Sequence, residues 1–335
     1  MASKVFNEKI KERRTKVGFT QADIASMAGL TLSKYQAIED GRTGSTKATK
    51  SYIEKIAEVL EIHLDEIYIE DFRNTELVAI SYGKGGVGKS TTTGEVSYHL
   101  GVTYKKKILV VDGDYQMNVT KSLGLEKNKN VSLRALLESD FESEDYSIFD
   151  FVQSTKYENI DCIIADPSLN GVDRVLYSKA LTEAIFHNAI QEVVNKGIYD
   201  YIIIDTSPHL GALTINLLFA ADKYYMPIKM EAYALDSMES LIETIVFIKK
   251  LRKRFHMKEF NISGILRTVV DNRKSITDKV TNDIKEMMPE YLLDVYIPVD
   301  TQIEKAQYEK MFTPEYDKNA RSVDHFKKFA KEIMK

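Results

Sequence analysis

The hydrophobic positions obey two different rules in two parts of the chain. Up to about residue 65 they recur at helical spacing. Phe6, Ile10 and Val17 mark a first helix that Gly18 ends. Thr20 is placed to cap a second, Gln21 to Ala28, which Gly29 stops. Thr31 can cap a third, from Leu32 to Ile38, and Ile53, Ile56, Ala57 and Leu60 give a fourth one apolar face. From Leu77 the rule changes. Short apolar runs at 77–82, 107–111, 162–165, 201–204, 223–228, 262–268 and 295–297 alternate with amphipathic stretches. Near-continuous runs of this length suit strands buried on both faces. The pattern therefore predicts a small all-α domain at 1–65 and a linker at 66–75, where Ile67, Tyr68, Ile69 and Phe72 can dock. An α/β domain at 76–335 follows, with a doubly wound, mostly parallel sheet.

The first α/β strand runs into Gly83-Lys84-Gly85-Gly86-Val87-Gly88-Lys89-Ser90, and a helix leaves it from Thr91. This fits the phosphate-binding P-loop at every fixed position. Its glycines let successive backbone N–H groups curl around a phosphate, and the helix N-terminus adds its positive dipole. Lys89 is expected to reach the β- and γ-phosphates, and the Ser90 hydroxyl to ligate Mg²⁺. Further polar residues fall at strand carboxyl ends, where such sheets bind ligands: Asp112, Asp114, Asp205 and Thr206. In the N-terminal part, two short helices joined by a tight glycine-containing turn form a helix-turn-helix pattern. The third helix would enter the major groove with Leu32, Ser33, Lys34 and Gln36 toward base edges. Gln36 suits adenine and Lys34 suits guanine or a phosphate. Gln21, Arg42, Lys47 and Lys50 are candidate phosphate contacts.

Lys84, a second lysine just after the first glycine, is not required by an ordinary P-loop. With it, Lys84 to Thr91 resembles the deviant P-loop of the ParA/MinD ATPases, which include chromosome and plasmid partition proteins. Val110-Val111-Asp112-Gly113-Asp114-Tyr115-Gln116 resembles that family's D-x-D-P-Q segment, with Tyr115 in place of proline. Ile204-Asp205-Thr206-Ser207-Pro208 resembles its D-T-x-P segment, and Thr268 to Arg273 and Ile297-Pro298 match two later ones. The resemblance spans 77–335. It implies ATP/ADP and Mg²⁺ as cofactors, the ion held by Ser90 and, through water, by Asp205. Asp114 would orient the attacking water, Lys84 would cross to the partner's nucleotide in an ATP-dependent homodimer, and Asp112, Thr268 and Pro298 would help bind the nucleotide. Thr20 to Gly41 similarly resembles the Cro/phage-repressor-like DNA-binding family. Together the two imply a plasmid-type partition ATPase that hydrolyses slowly, works with a ParB-like centromere-binding partner on DNA and represses its own operon. An ATP-responsive transcription regulator without cargo is the alternative.

Composition narrows this little. With 335 residues, 44% hydrophobic and 29% charged, the chain reads as an ordinary soluble protein, expected in the cytoplasm at the nucleoid. A net charge of −4 argues against DNA binding by global charge, leaving local patches. Lys249 to Arg254 is one such run, readable also as a helix end whose cations complement the dipole. Val299 and Gln302 stand where some partition relatives carry arginines. One cysteine, Cys162, excludes a disulfide framework and a cysteine-bridged cluster. The tail places Phe326, Phe329, Ala330 and Ile333 on one helical face, expected to dock on the sheet rather than enter a membrane.

Overall fold

Helical and strand periodicity give way to each other near residue 75, and the folded chain divides there too. The computed structural model describes residues 2–42, 47–139, 147–179, 182–236 and 238–335, the side chains of residues 2, 47, 48 and 71 excepted. It forms two compact units, Met1–Asn74 with Asn195–Ile198, and Thr75–Val194 with Tyr199–Lys335.

In the first unit a strand, β1 (Ala2–Val5), precedes helices α1 (Asn7–Lys16), α2 (Gln21–Met27), α3 (Leu32–Glu39), α4 (Lys47–Leu60) and the short α5 (Leu64–Ile67). The caps are local. The Thr20 hydroxyl accepts from the Asp23 N–H at 3.2 Å while Asp23 returns the favour to the Thr20 N–H at 2.8 Å. Thr31 accepts from the Lys34 N–H. Ile10, Ile24, Tyr35, Ile38, Ile53, Ile56 and Leu60 close one small core. The stretch expected as a linker is structured. Ile67 is buried, and Tyr68–Phe72 is a strand, β2, paired antiparallel with β1. The pairing satisfies backbone groups that a free tether would leave to water.

A buried ionic knot ties these helices. Arg14 pairs with Glu39 at 2.7 and 2.8 Å, and Glu39 also accepts from Tyr35 Oη and Gln21 Nε2. Burial opposes the Glu39 charge, but Arg14, Tyr35 and Gln21 together hold its pKa down from the ordinary 4.5 to about 2. Glu39→Gln leaves the Arg14 charge uncompensated, and its expected cost is about 3 kcal/mol. Because the folded pKa is depressed, this stability is complete above about pH 4.5 and is lost as pH falls toward about 2. Hydrogen exchange of the α1–α3 amides in the full chain reads it. Equal protection in variant and wild type at pH 7 would contradict the expectation.

Among the described residues of the second unit eight strands form one sheet: β3 (Glu76–Ile80), β4 (Ile108–Gly113), β5 (Gln153–Ser154), β6 (Ile160–Ile163), β7 (Tyr201–Thr206), β8 (Lys223–Lys229), β9 (Asn261–Val270) and β10 (Leu292–Pro298). Their spatial order is β10-β9-β8-β3-β7-β4-β6-β5, parallel except for the β5–β6 pair. Alternate residues feed two cores. Leu77, Ala79, Leu109, Val111, Ile202 and Ile204 face one, with Leu217, Leu241, Ile245 and Ile284 from covering helices. Val78, Ile80, Ile108, Val110 and Ile203 face the other, with Val96 and Leu100 from α6 (Lys89–Tyr98) and the turn after it, and with Phe326, Phe329 and Ile333. The C-terminal helix Arg321–Ile333 thus spends its apolar face on the sheet, Phe329 meeting Tyr225 edge-on at 5.2 Å. Among the described residues no helix is long and apolar enough to cross a membrane. The central strand β3 lies where chain connections leave in opposite directions, so its carboxyl end opens into the crevice where such sheets bind ligands.

Candidate functional site

The loop leaving β3 arrives at α6 through two left-handed glycines, Gly86 at φ +70° and Gly88 at φ +88°. A side chain there would be strained, and nothing beyond the adjoining residues lies within 4 Å of where its Cβ would sit. The open side of the loop is therefore free for a phosphate to approach the backbone. Lys89 begins α6 and is almost fully buried, its Nζ donating to the Lys84 carbonyl at 2.9 Å. Burial pushes its ammonium pKa down, and the carboxylates of Asp205 and Asp114 offset this.

Asp205 is the penultimate residue of β7 and is fully buried. Its Oδ1 accepts from Thr93 Oγ1 at 3.0 Å, while Oδ2 has no partner among the described residues. Burial and the nearby Asp112 charge push its pKa up, with Ser90, Lys89 and Thr93 pulling the other way. A buried carboxylate oxygen left orphaned is costly unless something claims it. A hydrated divalent cation beside the phosphates would satisfy that oxygen, so Ser90 and Asp205 fit the Mg²⁺ role. Among the described residues no cluster of three or more His, Cys, Asp or Glu could hold an ion without phosphate help.

The two aspartates at the carboxyl end of β4 divide their work. Asp112 is saturated by protein: Oδ1 accepts from the Asp114 N–H, and Oδ2 accepts from the Thr120 N–H and hydroxyl at 2.8 and 2.7 Å. In the free chain it shapes the loop. Asp114 uses Oδ1 to accept from the Gln116 N–H at 2.9 Å. Its Oδ2 has no partner among the described residues.

Two cavities flank the start of α6. One of about 280 Å³ is lined by Gly86, Gly88, Thr91, Thr268, Ile297 and Pro298. The Thr268 hydroxyl itself is committed, donating to the Val87 carbonyl at 2.8 Å. The other, of about 310 Å³, runs past Ser90, Gly94, Asn118 and Lys121. Gln307 spans both, donating to Thr91 Oγ1 at 2.8 Å. It belongs to no motif, and only folding brings it there.

In the first unit Leu32, Ser33 and Lys34 are exposed on α3 and Gln36 is half-buried. Several candidates hold protein partners in the free chain. Gln21 donates to Glu39 and accepts from Gln36 Nε2 at 3.2 Å, so it braces Gln36. Lys34 donates to Tyr52 Oη and lies over its ring. Arg42 pairs with Asp40 and Lys50 with Glu70. The Lys47 side chain lies outside the described residues.

The basic run at 249–254 is less of a patch than its letters suggest. Arg252 is 2% exposed and donates to the carbonyls of Phe219, Ala221 and Lys258. Lys249 donates to Asn261 Oδ1. Gln302 donates to Asp317.

A strand, this loop and a helix at the carboxyl edge of a doubly wound parallel sheet define a P-loop nucleotide-binding protein, and Lys84 makes the loop the deviant kind. Residues 75–259 match the AAA domain family, and residues 10–67 the helix-turn-helix family. The chain is 32% identical over 265 residues to the sporulation initiation inhibitor protein Soj of Bacillus subtilis, covering 77% of this chain and 98% of that protein. It is 27% identical over 258 residues to the chromosome partitioning protein ParA of Caulobacter vibrioides, covering 77% and 93%. Cobyrinic acid a,c-diamide synthase from Mycobacterium smegmatis, solved with bound ADP and magnesium, superposes with a TM-score of 0.63 at 25% identity, covering 78% and 94%. The chain belongs to the ParA/MinD family of P-loop ATPases and carries an N-terminal helix-turn-helix domain.

Proposed function

We propose that this protein is a partition ATPase that binds ATP with Mg²⁺, dimerises in that state, hydrolyses slowly until a centromere-binding partner stimulates it, and represses its own operon through α3. The observation that carries the reading is the union in one chain of a deviant phosphate loop, with Asp114 Oδ2 unclaimed beside it, and an exposed reading helix. Gly83 to Thr91 would wrap the phosphates, Lys89 would neutralise them, and Ser90 and Asp205 would hold the ion. The ion, when bound, neutralises charge developing on the phosphoryl oxygens. Thr268 and Pro298 would line the base pocket. Asp114 would hold the proton-accepting oxygen toward the attacking water, and Lys84 would serve the second subunit's nucleotide. In α3, Gln36 is braced by Gln21 with one amide N–H and its oxygen left for an adenine edge.

Footprinting of the full chain on the DNA upstream of its own coding sequence tests the operator part. Gln36→Ala is expected to weaken a protected site by about 1–3 kcal/mol. No protected site, or one held equally by the variant, would refute operator reading by α3. A transcription regulator without cargo is the second reading. The burial of Arg252 favours it, because it removes a cation from the run that would grip DNA of any sequence. Salt-sensitive, ATP-dependent binding to random DNA supports partition, and its absence supports the regulator.

A further inference from the structure

Lys84 is not free in the folded chain. Its Nζ lies 3.1 Å from Glu231 Oε1 and donates to the Tyr233 carbonyl, also at 3.1 Å. Both partners lie in the turn just after β8. That turn is itself held: Tyr82 Oη donates to the Ala234 carbonyl at 2.6 Å, and Tyr233 takes a left-handed φ of +60°. Glu231 is anchored a second time, its Oε2 lying 2.8 Å from Lys229 Nζ at the end of β8. One carboxylate therefore joins the loop lysine to the rim of the sheet.

A lysine this close to a phosphate cradle is drawn to the phosphates of its own chain. A long, flexible ammonium side chain follows the nearest anion, and nothing in the loop backbone prevents it. The carboxylate and the carbonyl supply a competing site and leave one N–H of Lys84 uncommitted. We propose that Glu231 is a positioning residue for Lys84, keeping its charge off the chain's own nucleotide and presenting it to a second copy of this chain. This rests on the proposed trans role of Lys84. Exposed ion pairs are weak, so the hold is soft enough for a partner's phosphates to draw on it.

The test is a double-mutant cycle on the full chain, with sedimentation read in a non-hydrolysable ATP analogue and in ADP. Glu231→Gln is expected to weaken the analogue-dependent dimer on the order of fivefold, the scale of one exposed pair. Analogue affinity measured below the dimerisation concentration is expected to stay equal or rise, because Lys84 falls back onto its own phosphates. In a Lys84→Ala background the same change is expected to have no further effect. A Glu231→Gln dimer as tight as wild type or tighter, with Lys84→Ala impaired, overturns the positioning role alone. An equal loss in both backgrounds makes Glu231 a structural residue and also overturns it. A Lys84→Ala dimer of wild-type strength removes the trans role first, and the proposal with it.

Discussion

Asp114→Ala is expected to bind ATP as the wild type does and to lose hydrolysis by roughly two to four orders of magnitude, the usual worth of a positioned proton acceptor. The separation follows from the geometry. The phosphate cradle is made of loop backbone and Lys89, to which Asp114 contributes only a nearby charge. Asp114 Oδ1 accepts from the Gln116 N–H, which orients the carboxylate. Removal therefore takes away an oriented acceptor and leaves the binding surface. Lys89→Ala is the contrast, since it deletes the buried cation among the phosphates and is expected to weaken binding itself. Equilibrium binding of a fluorescent ATP analogue, paired with single-turnover phosphate release, distinguishes the two. Wild-type turnover in Asp114→Ala would end the mechanism proposed for this site.

Arg252→Met is expected to destabilise the ATPase unit by about 3 kcal/mol, although the side chain sits in a run of surface cations. The substitution strands the carbonyls of Phe219, Ala221 and Lys258, which now accept from its guanidinium at 2.6, 2.7 and 3.1 Å. Of these, the Phe219 and Ala221 carbonyls are buried, and each such acceptor left without a donor costs on the order of 1–3 kcal/mol. Burial pushes the Arg252 pKa down, and Asp222 pulls it back, but the group stays charged in any accessible range. Lys253→Met, one residue on and exposed, is expected to change stability by less than about 0.5 kcal/mol. Urea unfolding of the full chain followed by tyrosine fluorescence measures both. Equal small effects would mean that the three carbonyls find other donors.

Arg252 also shows what a sequence holds and how it is misread. Among Lys249, Lys250 and Lys253 it reads as one more surface charge. At helical spacing, however, it continues the stripe Leu241, Ile245 and Ile248, all of them buried. Periodicity carried the information, and charge patterning hid it. The strands β3, β4, β7 and β8 were legible because burial on both faces writes continuous apolar runs. The strands β1 and β5 were not, being four and two residues long with no period to read. The phosphate loop was legible because its chemistry is local, eight residues in fixed order. Glu231 and Gln307 were not, because each reaches the loop only through the fold. Asp112 and Asp114 look alike in the sequence. Only the hydroxyl and N–H of Thr120, brought close by the turn between them, separate the one that shapes the loop from the one left open.

The position of β3 has a consequence for how the site comes into being. It lies between β7 and β8, with Val78 beside Ile203 on one side and Lys223 on the other. Both neighbours are synthesised long after it. Such pairings must overcome loop-closure entropy before any contact rewards them, which makes them slow. A growing chain that has just emitted Gly83 to Ser90 therefore holds the letters of the phosphate loop without its shape. The helices α1 to α5 ahead of it, built on short-range contacts, need no such wait. During each synthesis the chain passes through an interval in which its N-terminal helices can be complete while its ATPase is still unfinished.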